Sequence, residues 1–200
     1  VATLVLKRLD NAIADGDSIR AIIRNSGVNH DGNTNGISYP SPEAQPELAE
    51  HVHAEAGLDP RETDYVEAHG TGTQAGDKVE MTAIRKVFCQ NRDSELLLGS
   101  VKASVGHTES TSGIAAVIKT ILMLEKGFIP SLPSLVEVKS SIKHLIKYPI
   151  RVREIPEHHA YIIATERILT RLTDSKGHGT VGAQAAQRRL FFASRICPEF

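Results

Sequence analysis

Apolar residues fall in short continuous runs separated by small-residue turns. Val1 to Leu6 reads Val-Ala-Thr-Leu-Val-Leu and is bounded by Lys7-Arg8. Such a run fits a strand covered on both faces. Asp15-Gly16-Asp17 is a turn signal, and Ile19 to Val28, centred on Ile22 and Ile23, predicts a second strand. Asn29 to Gly36 is rich in residues that tolerate positive φ and reads as a loop. Tyr65-Val66 and Leu96-Leu97-Leu98 are two further short strands, each leading into a turn that presents a histidine.

Between these runs the spacing changes to helical. Ser41-Pro42 marks a helix start, with Leu48, Val52 and Ala56 following at i, i+4, i+8 and Gly57 able to cap the end. Pro46 is awkward there and either kinks the first turn or shifts the start. Asp77 to Glu80 resembles a capping box, and Ile84, Val87 and Phe88 give the next helix one apolar face. From Ile114 to Leu124 only Lys119 and Thr120 interrupt an apolar surface, which predicts a helix buried on nearly all sides. Strand–helix alternation from Tyr65 onward predicts an α/β fold with parallel pairing. After Pro149 the periodicity weakens; Ala183 to Leu190 fits a short polar helix inside an otherwise poorly specified tail.

The chain has 200 residues, enough for one core, and a net charge of -1. That balance speaks against a nucleic-acid groove or an anionic membrane surface. No apolar run approaches the roughly 20 residues of a membrane span. Two cysteines, Cys89 and Cys197, do not make a disulfide framework, so a cytoplasmic location is expected. The chain opens inside an apolar run without Met, which reads as a piece of something longer.

Two segments carry the chemistry: Val66-Glu67-Ala68-His69-Gly70-Thr71-Gly72-Thr73, and Ser100-Val101-Lys102-Ala103-Ser104-Val105-Gly106-His107-Thr108-Glu109. Strand ends of this kind are where α/β folds place reactive groups. Two imidazoles on two such turns can converge on one oxygen, and paired N–H donors aimed at a developing oxyanion form an electrostatic stabiliser. Lys102 is placed to pair with Glu109 and fix the second turn. Three other readings stand beside this one. Either histidine alone could be an ordinary hydrogen-bonded loop residue. Gly70 to Gly76 imitates a dinucleotide loop, with spacing G-x-G-x-x-x-G, one residue longer than the fingerprint. His30-Asp31 could be a relay or a solvated turn. No metal set is expected: His51 and His53 diverge on a helix, and no Cys pair or HExxH pattern occurs.

Glu67-Ala68-His69-Gly70-Thr71-Gly72-Thr73 and Lys102-Ala103-Ser104-Val105-Gly106-His107-Thr108-Glu109 resemble the two histidine motifs of β-ketoacyl synthases. The Val28 to Ile37 loop is similar to the version in modular polyketide synthases. The resemblance covers about residues 1 to 135. It implies the C-terminal half of a thiolase-like fold of αβαβα layers, with residues 1–148 as the ketosynthase portion and 149–200 as a divergent tail. It implies decarboxylative Claisen condensation of acyl and malonyl thioesters on a partner acyl carrier protein, whose phosphopantetheine arm is the only cofactor. His69 and His107 would stabilise the enolate, Lys102 with Glu109 would organise the site, and Thr71 and Thr73 would lie along the pantetheine tunnel.

The departures from the family are specific. The nucleophilic cysteine belongs to the N-terminal half of the family, which would be a missing partner here, and neither Cys89 nor Cys197 has suitable surroundings. Nothing matches the family's Gly-rich closing strand, and Ser110-Thr111-Ser112 replaces the usual small alanines. The expectation is a fragment that does not condense substrates alone, or a non-catalytic half-domain that docks on a synthase or carrier protein.

Overall fold

The computed structural model describes residues 1–32, 34, 40–132, 135, 137–152 and 189–192, the last for backbone alone. Among the described residues, four strands form one all-parallel sheet in the order β3-β2-β1-β4: β1 is Thr63–Glu67, β2 Leu96–Gly99, β3 Ile150–Val152 and β4 Arg189–Phe192. Helices are α1 Leu9–Ala14, α2 Ala44–Glu55, α3 Gln74–Phe88, α4 Lys102–Val105, α5 Ser112–Lys126 and α6 Ser140–Lys143. Among the described residues, no helix is long and apolar enough to cross a membrane.

Alternation along β1 divides the core in two. Val66 and Ala68 face the side of α3, where Met81, Ile84, Val87 and Phe88 pack with Leu96, Leu98 and Ile150. Tyr65 faces the opposite side and packs with Met123 of α5, Ile129 and Leu97. Helices therefore cover both faces of a parallel sheet, the arrangement that requires crossover helices between strands. At the C-terminal edge of β1 and β2 the chain turns directly into the two histidine motifs.

The expected capping chemistry holds at α2, with a shift. Ser41 Oγ accepts the Ala44 N–H at 3.0 Å, and the helix opens at Ala44, which leaves Pro46 in the first turn where no intrahelical donor is needed. Beyond Ala56, the Gly57 and Leu58 N–H groups bond back to Ala54 and His53 carbonyls at 3.0 and 2.9 Å, a Schellman closure. At α3 the capping-box reading is corrected. Thr73 is the N-cap, accepting from the Gly76 N–H at 3.2 Å, and Glu80 lies inside the helix with a different partner.

Several further expectations change. Val1 to Leu6 and Ile19 to Val28 are not strands, and Val1, Val5, Leu6, Ile22, Ile23 and Val28 are exposed. A strand is defined by its pairing, and neither segment pairs with a described strand. The turn at Asp15-Gly16-Asp17 is present and closes on Lys7, whose ammonium reaches both aspartates at 2.5 Å. Helix α5 is buried along one stripe only, through Ser112, Ala116 and Met123; Leu122 is exposed. The helix expected at Ala183 to Leu190 is contradicted at its end, where Arg189 and Leu190 open β4. Residues 183–188, His158, His159, His178 and Cys197 lie outside the described residues.

Candidate active site

The turn after β1 is held by carboxylates from the helix that follows it. Glu80 is buried in α3, and its two oxygens accept the backbone N–H groups of His69 at 2.6 Å and Gly70 at 2.9 Å. Asp77 accepts the Gly72 N–H at 3.0 Å, and Lys139 bonds both the Asp77 carboxylate, at 3.2 Å, and the Gly72 carbonyl. The His69, Gly70 and Gly72 N–H groups are therefore already taken by side-chain carboxyl oxygens, which speaks against the dinucleotide-loop reading. Burial pushes the Glu80 carboxyl upward, opposed by the two N–H donors.

The turn after β2 is held from below. Glu67, the last residue of β1, is fully buried and accepts the Val101 N–H, the Tyr65 hydroxyl and, at 2.7 Å, the Lys119 ammonium from α5. Lys119 also donates to the Tyr65 oxygen at 2.9 Å. Burial and the adjacent Glu67 carboxylate raise the Tyr65 hydroxyl, so it stays a donor. The two turns touch directly at Gly70 (φ +53°), where a Cβ would lie 3.0 Å from the Cβ and Oγ of Ser100. Only a residue without a side chain fits both that conformation and that approach.

This packing brings the two histidines together. The His69 and His107 ring centroids are 5.8 Å apart with the rings at 89°. The His69 pKa is lowered to about 4, first by burial, then by Lys102 and His107. His69 is thus neutral at physiological pH. Its Nδ1 faces the Lys102 ammonium at 3.4 Å, which makes Nδ1 the acceptor and leaves the ring proton on Nε2. His107 Nδ1 accepts the Glu109 N–H at 3.0 Å, so this nitrogen carries no proton and the ring N–H is on Nε2. Each imidazole keeps one N–H donor free of these supporting bonds.

The other predicted residues separate. Lys102 pairs with His69, not Glu109: among the described residues no Lys102–Glu109 ion pair forms. Glu109 lies 3.8 Å from His107 Nδ1 and is largely exposed. The α4 turn carries Lys102 toward the first histidine turn, while Gly106 reverses the chain before Glu109. Burial lowers the Lys102 ammonium, opposed by Glu80 and Glu67. The Thr71 and Thr73 hydroxyls lie 3.5 Å apart at the open edge of the loop. Cys89 is half-buried, and burial raises its thiol, the reverse of an activated nucleophile. His51 is exposed beside Glu55, whereas His53 is buried, bonds the Ala49 carbonyl at 2.8 Å and packs edge-on to Phe88. Asp31 accepts the Ser41 N–H at 3.2 Å and anchors its loop to the start of α2.

Sequence reasoning missed Glu80, Asp77, Lys119 and the structural task of Glu67. The usable signal was the interval from His69 to Glu80, which returns a helical carboxylate to the loop preceding its own helix.

Comparison with known proteins agrees with this geometry. The profile described as Beta-ketoacyl synthase, C-terminal domain, matches residues 20–135. The chain belongs to the β-ketoacyl synthase family. The highly reducing polyketide synthase ltbA of Aspergillus luteorubrus is 52% identical over 161 residues, covering 78% of this chain and 5% of that protein. The highly reducing polyketide synthase SAT13 of Stachybotrys chartarum is 45% identical over 208 residues, covering all of this chain and 8% of that protein. The ketosynthase from module 6 of the bacillaene synthase of Bacillus subtilis 168 superposes with a TM-score of 0.69 at 36% identity, over 74% of this chain and 27% of that one. The oxazolomycin ketosynthase domain OzmH KS7 of Streptomyces albus gives 0.68 at 37%, over 74% and 26%. The fold is the C-terminal half of the thiolase-like ketosynthase architecture, and the chain spans a small fraction of its curated relatives.

Proposed function

We propose that this chain supplies the histidine-bearing half of a ketosynthase site for decarboxylative Claisen condensation in polyketide assembly. The observation that carries the proposal is the approach of His69 and His107 from two separate turns, with both supporting bonds leaving the proton on Nε2. Loss of carbon dioxide from a malonyl thioester moves its C–C bonding electrons onto the thioester oxygen. Two N–H donors lower the energy of that enolate more than of the ground-state carbonyl. The enolate carbon then attacks an acyl thioester carried on a cysteine, whose thiolate leaves. That cysteine comes from the family's N-terminal half, because Cys89 lacks an activating environment.

Lys102 keeps the His69 ring in its Nε2–H tautomer. Glu109 positions His107 through its backbone N–H, and Thr71 and Thr73 flank the entry path of the phosphopantetheine arm of an acyl carrier protein. Residues 1–148 form the ketosynthase portion and 149–200 the divergent tail, which still contributes β3 and β4 to the sheet. The chain acts in the cytoplasm, together with the cysteine-bearing half of the site.

The test is co-expression with the N-terminal half of a related polyketide ketosynthase, followed by decarboxylation of carrier-bound malonate. Decarboxylation should fall on the order of 10²–10³-fold when either histidine becomes alanine. Undiminished decarboxylation in the His69→Ala/His107→Ala double variant would refute the proposal. A second reading, a non-catalytic half-domain docking on a synthase, draws on the exposed apolar run at Val1, Val5 and Leu6. Stable co-purification without turnover would favour it.

A further inference from the structure

Beneath the paired histidines lies a buried ionic group that the condensation chemistry does not use. Glu67 is completely inaccessible, and Lys119 reaches it at 2.7 Å with its own side chain 15% exposed. One Glu67 oxygen takes the Val101 N–H; the other takes Lys119 and the Tyr65 hydroxyl. We infer that Glu67, neutralised by Lys119, is a positioning residue that holds the two histidine turns in register. The inference rests on the ketosynthase reading above and concerns how that site is assembled.

The connections explain the assignment. Glu67 ends β1 and leads through Ala68 to His69. Val101 immediately precedes α4, which opens with Lys102 and ends at Val105, capped by Gly106 next to His107. Lys119 lies about two turns into α5, the helix that begins just beyond His107. One carboxylate thus joins the strand before the first histidine, the corner before the second and the helix after it. The Val101 N–H stands at a helix start, where no intrahelical carbonyl serves it.

A buried ion pair is a poor device for bulk stability, since an apolar pair of similar volume avoids the desolvation cost. Its specific product is direction: a fixed acceptor at one place. A second, independent feature points the same way. At Gly99 a Cβ would lie 2.3 Å from the Tyr65 hydroxyl oxygen. The strand beside β1 therefore has no side chain at the one point where the network needs space.

The test uses the full chain with labelled histidine and compares Lys119→Met, Lys119→Arg and Glu67→Gln/Lys119→Met. In the unaltered background, His107→Asn should raise the titration midpoint of His69, because His107 is one of the groups holding it down. That increment should vanish in Lys119→Met and in the neutral double variant, and return in Lys119→Arg. Val101 amide exchange should accelerate about tenfold or more in the double variant. An unchanged increment in a folded variant lacking the pair would overturn the inference. Loss of the fold in both Lys119→Met and the double variant would also overturn it, because the pair would then serve stability alone. Failure of the ketosynthase reading shows separately, as decarboxylation independent of both histidines while this coupling persists.

Discussion

Replacing Glu80 by Gln tests whether the first histidine turn is clamped from α3. In the native chain each carboxylate oxygen receives one backbone N–H, from His69 at 2.6 Å and Gly70 at 2.9 Å. The amide keeps one oxygen and turns an NH₂ toward the other donor. One charge-assisted bond is lost and one buried N–H is left without a partner. Those two effects together cost about 2–4 kcal/mol. With a urea slope of about 2 kcal/mol/M, the unfolding midpoint should fall by roughly 1–2 M at unchanged slope. Glu80→Gln should also loosen the His69 turn, so the depressed His69 titration should move back toward the ordinary imidazole range. In the reconstituted synthase, decarboxylation should fall on the order of 10²-fold, the usual cost of about 1 Å of misplacement. A Glu80→Gln chain with the native midpoint and an unmoved His69 titration would refute the clamp.

Gly99→Ala should destabilise the chain by about 1–3 kcal/mol, because its Cβ would collide with a Tyr65 ring held by Glu67 and Lys119; a native denaturation midpoint would contradict this. His69 binds its proton more weakly folded, at about 4, than unfolded, near the ordinary 6.5. Stability contributed by this residue is therefore constant above pH 6.5 and declines as pH falls toward 4, where the unfolded chain takes up the proton first. After allowance for partial exposure the loss is about 1–2 kcal/mol, and it should be absent in His69→Asn, as read from unfolding midpoints across that range. Thr73→Ala removes the α3 N-cap and should cost about 1 kcal/mol in thermal or urea unfolding.

Sequence patterning reveals the elements from Tyr65 onward because each is completed within the chain. Leu96 to Leu98 pairs with Tyr65 to Glu67 on one side and with β3 on the other, so the local apolar run and the sheet agree. Val1 to Leu6 and Ile19 to Val28 carry equally apolar letters, but strand identity depends on a pairing edge that composition does not encode. The convergence of His69 and His107 was legible from two strand-end turns of similar design. The carboxylates that create it were not. Glu80 occupies a helix position whose usual reading is a cap or a solvated charge, and Glu67 follows the period-two alternation of β1 that gives no hint of burial. Lys119 interrupts an apolar helix, and only the packing of α5 against Tyr65 shows that the interruption faces inward. Lys102 was expected against Glu109 by proximity in sequence, whereas the fold sets it against His69, thirty-three residues away.

The imidazoles of His69 and His107 meet edge to face. The most direct measurement is the nuclear Overhauser effect between their ring protons in the full chain with labelled histidine, assigned with His69→Asn and His107→Asn. Rings 5.8 Å apart edge to face predict a cross-peak that either substitution abolishes. Two sharp, assigned ring systems with no cross-peak between them would contradict the account.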